Sequence, residues 1–119
     1  MNFEEMRLST GLTIDAHNSQ QIEISGKIYE FPVYLGDEVC PVAYQTEQEI
    51  TLNDVQAAFE QGANVLLIGT GEKQRFVSPK LVAQAASLGV GLECMTTATA
   101  CRTYMLLRSE GRKVCAWLW

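Results

Sequence analysis

The stretch Val65-Leu66-Leu67-Ile68-Gly69-Thr70-Gly71 constrains the fold of this chain more than any other. Its large aliphatics run consecutively, are too few for a buried helix, and stop at a Gly-Thr-Gly turn. They predict an interior strand apolar on both faces. Such a strand needs cover above and below, and helical patterns flank it on either side.

Upstream, Leu12 to Asp15 alternates apolar and polar, as does Gln20 to Ser25 through Ile22 and Ile24, which predicts strands with one wet face. Ser25-Gly26-Lys27 is a turn signal and Ile28 to Leu35 is β-rich, so residues 20–35 read as a hairpin. Pro32 lacks an N–H and places that strand at an edge or a bulge. Gly36-Asp37 turns the chain, and Val39 to Tyr44 offers another short strand interrupted by Pro41.

Thr51 with Asp54 three residues on is a capping pair, and Leu52, Val55 and Phe59 share the face of the helix that follows. Gly62 ends it. Past the central strand, Phe76-Val77 reads as a short extended piece before Ser78-Pro79, a cap with proline at the first helical position. Leu81, Val82, Ala85 and Leu88 form the apolar stripe of this second helix, and Gly89 stops it. Val90 to Met95 reads as a second interior strand. Thr97 caps a third helix to about Ser109, with Gly111 as terminator. Arg112 to Trp119 is a closing strand with Val114, Ala116 and Leu118 on one side and Cys115, Trp117 and Trp119 on the other. Strands joined through a helix should be parallel with a right-handed crossover. The predicted fold is α/β: one domain over residues 1–119, a mixed central sheet flanked by three helices, and an N-terminal β-hairpin layer.

Hydrophobic residues at 47% and charged residues at 19% exclude a disordered chain, and no low-complexity linker divides it. A net charge of -5 without a basic run excludes nucleic acid as the expected partner. The acidic start Met1-Asn2-Phe3-Glu4-Glu5-Met6 and the lack of a membrane-length apolar run point to a soluble cytoplasmic protein with no membrane insertion. Cys40, Cys94, Cys101 and Cys115 lie in no Cys-x-x-Cys spacing and are expected as reduced thiols. The one histidine, His17, is remote from them in sequence, so neither a metal site nor a cofactor is expected.

The Gly69-Thr70-Gly71 turn follows a strand, where backbone N–H groups can approach an anion. It fails the nucleotide fingerprints: Gln74 stands where a third glycine is needed, and no Lys-Ser or Lys-Thr pair follows. At the next strand end, Thr97 opens a helix, and Arg102 is placed to pair with Glu93 or a ligand carboxylate. The plainer reading is a tight turn, a capping threonine and an ion pair. Cys94 and Cys101 lack a nearby base, so no catalytic residue is assigned. Asp15 and His17 lack a nucleophile elbow to complete a triad.

Val65 to Gly71, then Gly91-Leu92-Glu93-Cys94-Met95-Thr96-Thr97, Ala100 to Tyr104 and Glu110 to Val114, resemble the domain of unknown function 498 family. That family includes the mitochondrial respiratory complex I assembly factor three and uncharacterised bacterial relatives. The resemblance implies a compact α/β domain with a mixed sheet plus a hairpin. It implies a non-enzymatic, assembly-factor-like module with a protein partner, a homodimer being left open. Where the family usually carries Asp before the threonine and Asn after the tyrosine, this chain has Thr96 and Met105. That depletes a polar cluster on the third helix and weakens an enzymatic role built on it. The alternative is a small-molecule or anion binder, or an enzyme, using Gly69, Thr70, Gly71, Glu93, Thr97 and Arg102 at the carboxyl ends of the central strands.

Overall fold

In the computed structural model, which describes residues 11–119, a three-stranded and a five-stranded sheet are combined with three helices. The elements run β1 (Ile14–His17), β2 (Gln21–Ile24), β3 (Lys27–Glu30), β4 (Val33–Leu35), β5 (Val39–Pro41), a 3-10 turn (Glu47–Glu49), α1 (Leu52–Glu60), β6 (Val65–Gly69), α2 (Pro79–Ser87), β7 (Gly91–Met95), α3 (Thr97–Ser109) and β8 (Val114–Leu118). Strands β1-β2-β3 form an antiparallel sheet, and β5-β4-β8-β6-β7 form a mixed sheet. The last strand, β8, lies parallel to β6 with Ile68 opposite Trp117, and antiparallel to β4 with Tyr34 opposite Trp117.

Every residue of β6 and β8 is buried, as runs apolar on both faces require. Leu66, Ile68, Cys115 and Trp117 pack with Val55 and Ala58 of α1 and Leu81 and Ala85 of α2. On the opposite face Val65, Leu67, Val114, Ala116 and Leu118 pack with Ala100, Cys101 and Tyr104 of α3 and with Ile22 and Ile24 of β2. The mixed sheet is therefore sandwiched between α1 with α2 and a layer of α3 with the small sheet.

Several sequence expectations change. The span 20–35 is not one hairpin: β3 stays with β2, the Phe31–Pro32 peptide is cis, and β4 joins the mixed sheet beside β8. Pro32 marks the transfer between sheets, where its missing N–H costs no ladder bond. β7 is an edge strand of the mixed sheet rather than an interior one; Leu92 is buried but Gly91 and Glu93 are exposed. Val82 and Phe59 were expected in apolar stripes yet are 38% and 47% exposed, because α1 and α2 pack on the sheet through Val55, Ala58, Leu81 and Ala85. Phe76-Val77 forms no strand; Val77 is buried in the α1–α2 core and Phe76 is exposed.

Caps follow the sequence signals. Thr51 accepts from Asp54 N–H while the Asp54 carboxylate accepts from Thr51 N–H, a reciprocal capping box, and Ser78 caps α2 ahead of Pro79. The cap of α3 is Thr96, not Thr97.

Leu118, fully buried between β4 and β6, tests this arrangement. Leu118→Ala should cost about 3 kcal/mol in urea unfolding, the middle of the buried-leucine range, whereas Val82→Ala should stay within about 0.5 kcal/mol.

Candidate functional site

The carboxyl ends of β6 and β7 and the amino end of α3 meet at a cleft of about 460 Å³. Its walls include Gly71 and Glu72 after β6, Thr97 and Ala98 on α3, and Phe31 and Trp119 as aromatic surfaces. His17, Asn18 and Ser19 of the β1–β2 turn form its outer rim. Open α/β sheets place ligand sites at such strand ends, and the volume lies within the usual range for ligand pockets.

The expected site residues reach this region unevenly. Gly71 and Thr97 line the cleft; Gly69 and Thr70 sit beneath it, and Glu93 and Arg102 are outside its wall. The Thr97 hydroxyl donates to the Trp119 carbonyl at 2.7 Å and accepts the Gly71 N–H at 2.8 Å, while Thr97 N–H donates to Gly71 O at 3.0 Å. Thr70 is 1% exposed; its hydroxyl donates to Lys73 O at 2.8 Å and accepts Arg75 N–H at 3.0 Å, and its own N–H donates to Met95 O. The polar groups proposed for an anion are thus engaged with one another, so the turn is an internal latch. Gly69 is required by close approach: a Cβ there would lie 2.9 Å from Leu118 Cδ2 and 3.0 Å from Thr97 Cα. Gly71 has φ +88°, the left-handed region that disfavours a side chain.

Arg102 does not pair with Glu93. It donates to Thr99 Oγ1 at 3.2 Å, and Thr99 also receives the hydroxyl of the capping Thr96.

No local sequence signal marks the ionic latch between the exposed Arg75 and the buried Glu47. Glu47, 1% exposed, accepts from Arg75 Nε at 3.2 Å and from Gln48 Nε2 at 3.0 Å, while Arg75 also reaches Thr70 O. These residues pin the loop after β6 to the turn before α1. Gln74 Nε2 fastens the same loop to β7 through Cys94 O at 3.0 Å.

Nucleophilic chemistry finds no support in the thiols. Burial raises the Cys94 and Cys115 thiols above their ordinary range, with the Val77 N–H only partly opposing it at Cys94. Burial pushes Cys101 up to about 11. All four cysteines are free, Cys40 exposed and Cys101 and Cys115 buried. Among the described residues no three His, Cys, Asp or Glu side chains gather as a metal site, and no helix is long and apolar enough to cross a membrane.

With this geometry in place, relatives can be compared. Residues 14–119 match the family model described as protein of unknown function (DUF498/DUF598). The chain belongs to this family. A crystal structure of a Bordetella parapertussis protein is 33% identical, with 90% of this chain and 93% of that chain covered and a TM-score of 0.79. A Bordetella pertussis protein described as an Mth938-like domain is 27% identical over 90% of this chain and 84% of that one, with a TM-score of 0.74. The 13 kDa major membrane protein of Francisella tularensis is 36% identical over 67 residues, 56% of this chain and 54% of its own length. The match thus spans about half of that curated relative.

Two predictions follow from the latch and the thiols. Thr97→Val leaves the Gly71 N–H without its side-chain acceptor and the Trp119 carbonyl without that donor, and should cost about 1–3 kcal/mol in urea unfolding. The folded state favours un-ionised Cys101, raised from 9.0 to about 11, and un-ionised Tyr104, raised from 10.0 to about 12. Raised values penalise folding only above the unfolded values, where the unfolded chain releases its protons first. The urea midpoint should therefore hold from neutral pH to about 9 and fall above it, and Cys101→Ala should shrink the first part of that fall.

Proposed function

We propose that this chain is a non-enzymatic interaction module, assembly-factor-like in kind, that recognises a protein partner through the face containing the cleft. The observation that carries this reading is the engagement of Thr70, Gly71 and Thr97 with the protein's own backbone. The cleft then offers a fixed shape with aromatic walls at Phe31 and Trp119, and its threonine hydroxyls are not free to act on a substrate. Thiols that burial keeps protonated support the same reading and suit a reducing compartment.

Cleft volume favours a second reading, a small-molecule or anion binder at the same place, in which Gly71 and Thr97 line the ligand and the neighbouring Gly69, Thr70, Glu93 and Arg102 support it.

Ala98 is exposed on the first turn of α3 and lines the cleft, so Ala98→Trp fills it from outside the core. Affinity capture from native lysate should enrich a defined partner with the wild-type chain. It should lose most of that partner with Ala98→Trp at unchanged melting temperature. An identical captured set for both proteins would contradict the module reading. Stabilisation of about 2.7 kcal/mol by a nucleotide, carboxylate or metal at a hundred times its dissociation constant would favour the second.

A further inference from the structure

Among the described residues the two sheets present four edges, and three are protected. β5 is a three-residue strand ending in Pro41, β7 carries Gln74 Nε2 on its Cys94 carbonyl, and β1 has an irregular register between Ile14 and Ala16. The Ile14 N–H of β1 is also capped by Met105 Sδ at 3.3 Å. Bulges, prolines, short strands and covering groups are the usual means of blunting an edge.

β3 differs. Its pairing with β2 runs without interruption through Gln21–Glu30, Ile22–Tyr29, Glu23–Ile28 and Ile24–Lys27. Just beyond the strand, Phe31 N–H donates inward to Gln20 O. Alternation along an antiparallel ladder therefore turns the backbone of Tyr29 and Lys27 toward β2, and that of Ile28 and Glu30 outward. The outward groups belong to a largely exposed strand with Ile28 at 65% exposure, which lines a depression with Ala16, His17, Asn18, Gln21 and Glu23.

Side chains set the sign of what this edge accepts. Ile28 and Glu30 share the outer face with Gln21 and Glu23, their cross-strand neighbours, and neither glutamate has a cationic partner among the described residues. A second copy would bring the same acidic face alongside, in a chain of net charge -5. A segment with an apolar residue flanked at alternate positions by lysine or arginine is complementary.

We propose that the outer edge of β3 takes up an extended basic segment of a partner protein as an added strand. This inference rests on the interaction-module reading and gives it a docking mode: main-chain bonds to Ile28 and Glu30, an apolar contact with Ile28, and a cation beside Glu30. β3 leads directly into Phe31, which lines the cleft, so one partner segment can follow the edge into the cleft.

The probe is a short capped peptide alternating threonine with lysine, isoleucine and lysine, titrated by fluorescence anisotropy against the full chain. A second peptide carries glutamate in place of the lysines. The basic peptide should bind at least about tenfold more tightly, with the preference fading in high salt. N-methylation should abolish binding at one alternate set of positions and spare the other. Glu30→Lys, an exposed change outside the core, should reverse the charge preference. Equal affinity for both peptides, methylation effects without alternation, or no binding of the basic peptide would overturn the proposal. So would a concentration-dependent dimer in sedimentation that Ile28→Lys dissolves, because the edge would then belong to a second copy. If the peptide arms fail while Ala98→Trp still loses its captured partner, the module reading stands without this edge. If capture shows no partner but the peptides behave as described, the edge stands and the cleft reading falls.

Discussion

The insertion of β8 between β4 and β6 is the constraint on which the rest of the structure depends. Its parallel bonds to β6 and antiparallel bonds to β4 join the βαβ half of the chain to the strands that precede it. Its alternating side chains supply both cores: Val114, Ala116 and Leu118 face α3 and the small sheet, while Cys115 and Trp117 face α1 and α2. Burial of large apolar side chains on both faces contributes roughly 1.5–3 kcal/mol each, so this strand couples the two layers energetically as well as topologically. Trp117 is the hub of the second face, tilted against Tyr34 and stacked with Tyr44 and Trp119. Its buried indole N–H has no hydrogen-bond partner among the described residues, the polar cost of placing so large an aromatic there.

That strand also determines why the cleft has its chemistry. Leu118 lies beside Gly69, and Trp119 N–H continues the ladder to Gly69 O, which brings the Trp119 carbonyl to the Thr97 hydroxyl. A side chain at position 69 would collide with both Leu118 and Thr97. The glycine therefore permits helix–strand proximity rather than phosphate approach. A hydroxyl held between a backbone donor and a backbone acceptor has a settled orientation, and this rigidity suits shape recognition better than proton transfer.

Legibility in the sequence tracked how local each cause was. β6 and β8 were readable because burial on both faces leaves an apolar run that needs no partner to interpret. Thr51 with Asp54 and Ser78 with Pro79 were readable because capping is settled within one turn. The reading failed where a distant neighbour decides. Val90 to Met95 has the composition of an interior strand, yet among the described residues no further strand lies outside it. Val82 and Phe59 match helical periodicity, but the helices need only a narrower stripe against the sheet. Pro32 signalled a disruption correctly without disclosing that the chain changes sheets there. At the site, Gly71 and Thr97 were identified as residues while their bonding to each other was not. Glu47 and Arg75 were missed because an ion pair separated by 28 positions leaves no periodic trace.

On the proposed reading, the engagement of polar groups among the described residues favours recognition over chemistry. A catalytic site keeps a nucleophile, base or oxyanion donor free and preorganised toward the reacting atoms. Here the groups best placed for those roles hold loops to strands: Thr97 binds Gly71 and Trp119, Thr70 binds Lys73 and Arg75, and Glu47 binds Arg75 and Gln48. On that reading the surfaces left for a partner among the described residues are two aromatic walls, the backbone edge of β3, and the half-buried Glu23 and exposed Glu30 beside Ile28. Main-chain edges supply affinity with little sequence demand, and flanking charges select among partners. The latches give these surfaces fixed positions, so on the proposed reading the conformational cost of binding would fall mainly on the incoming segment rather than on this protein.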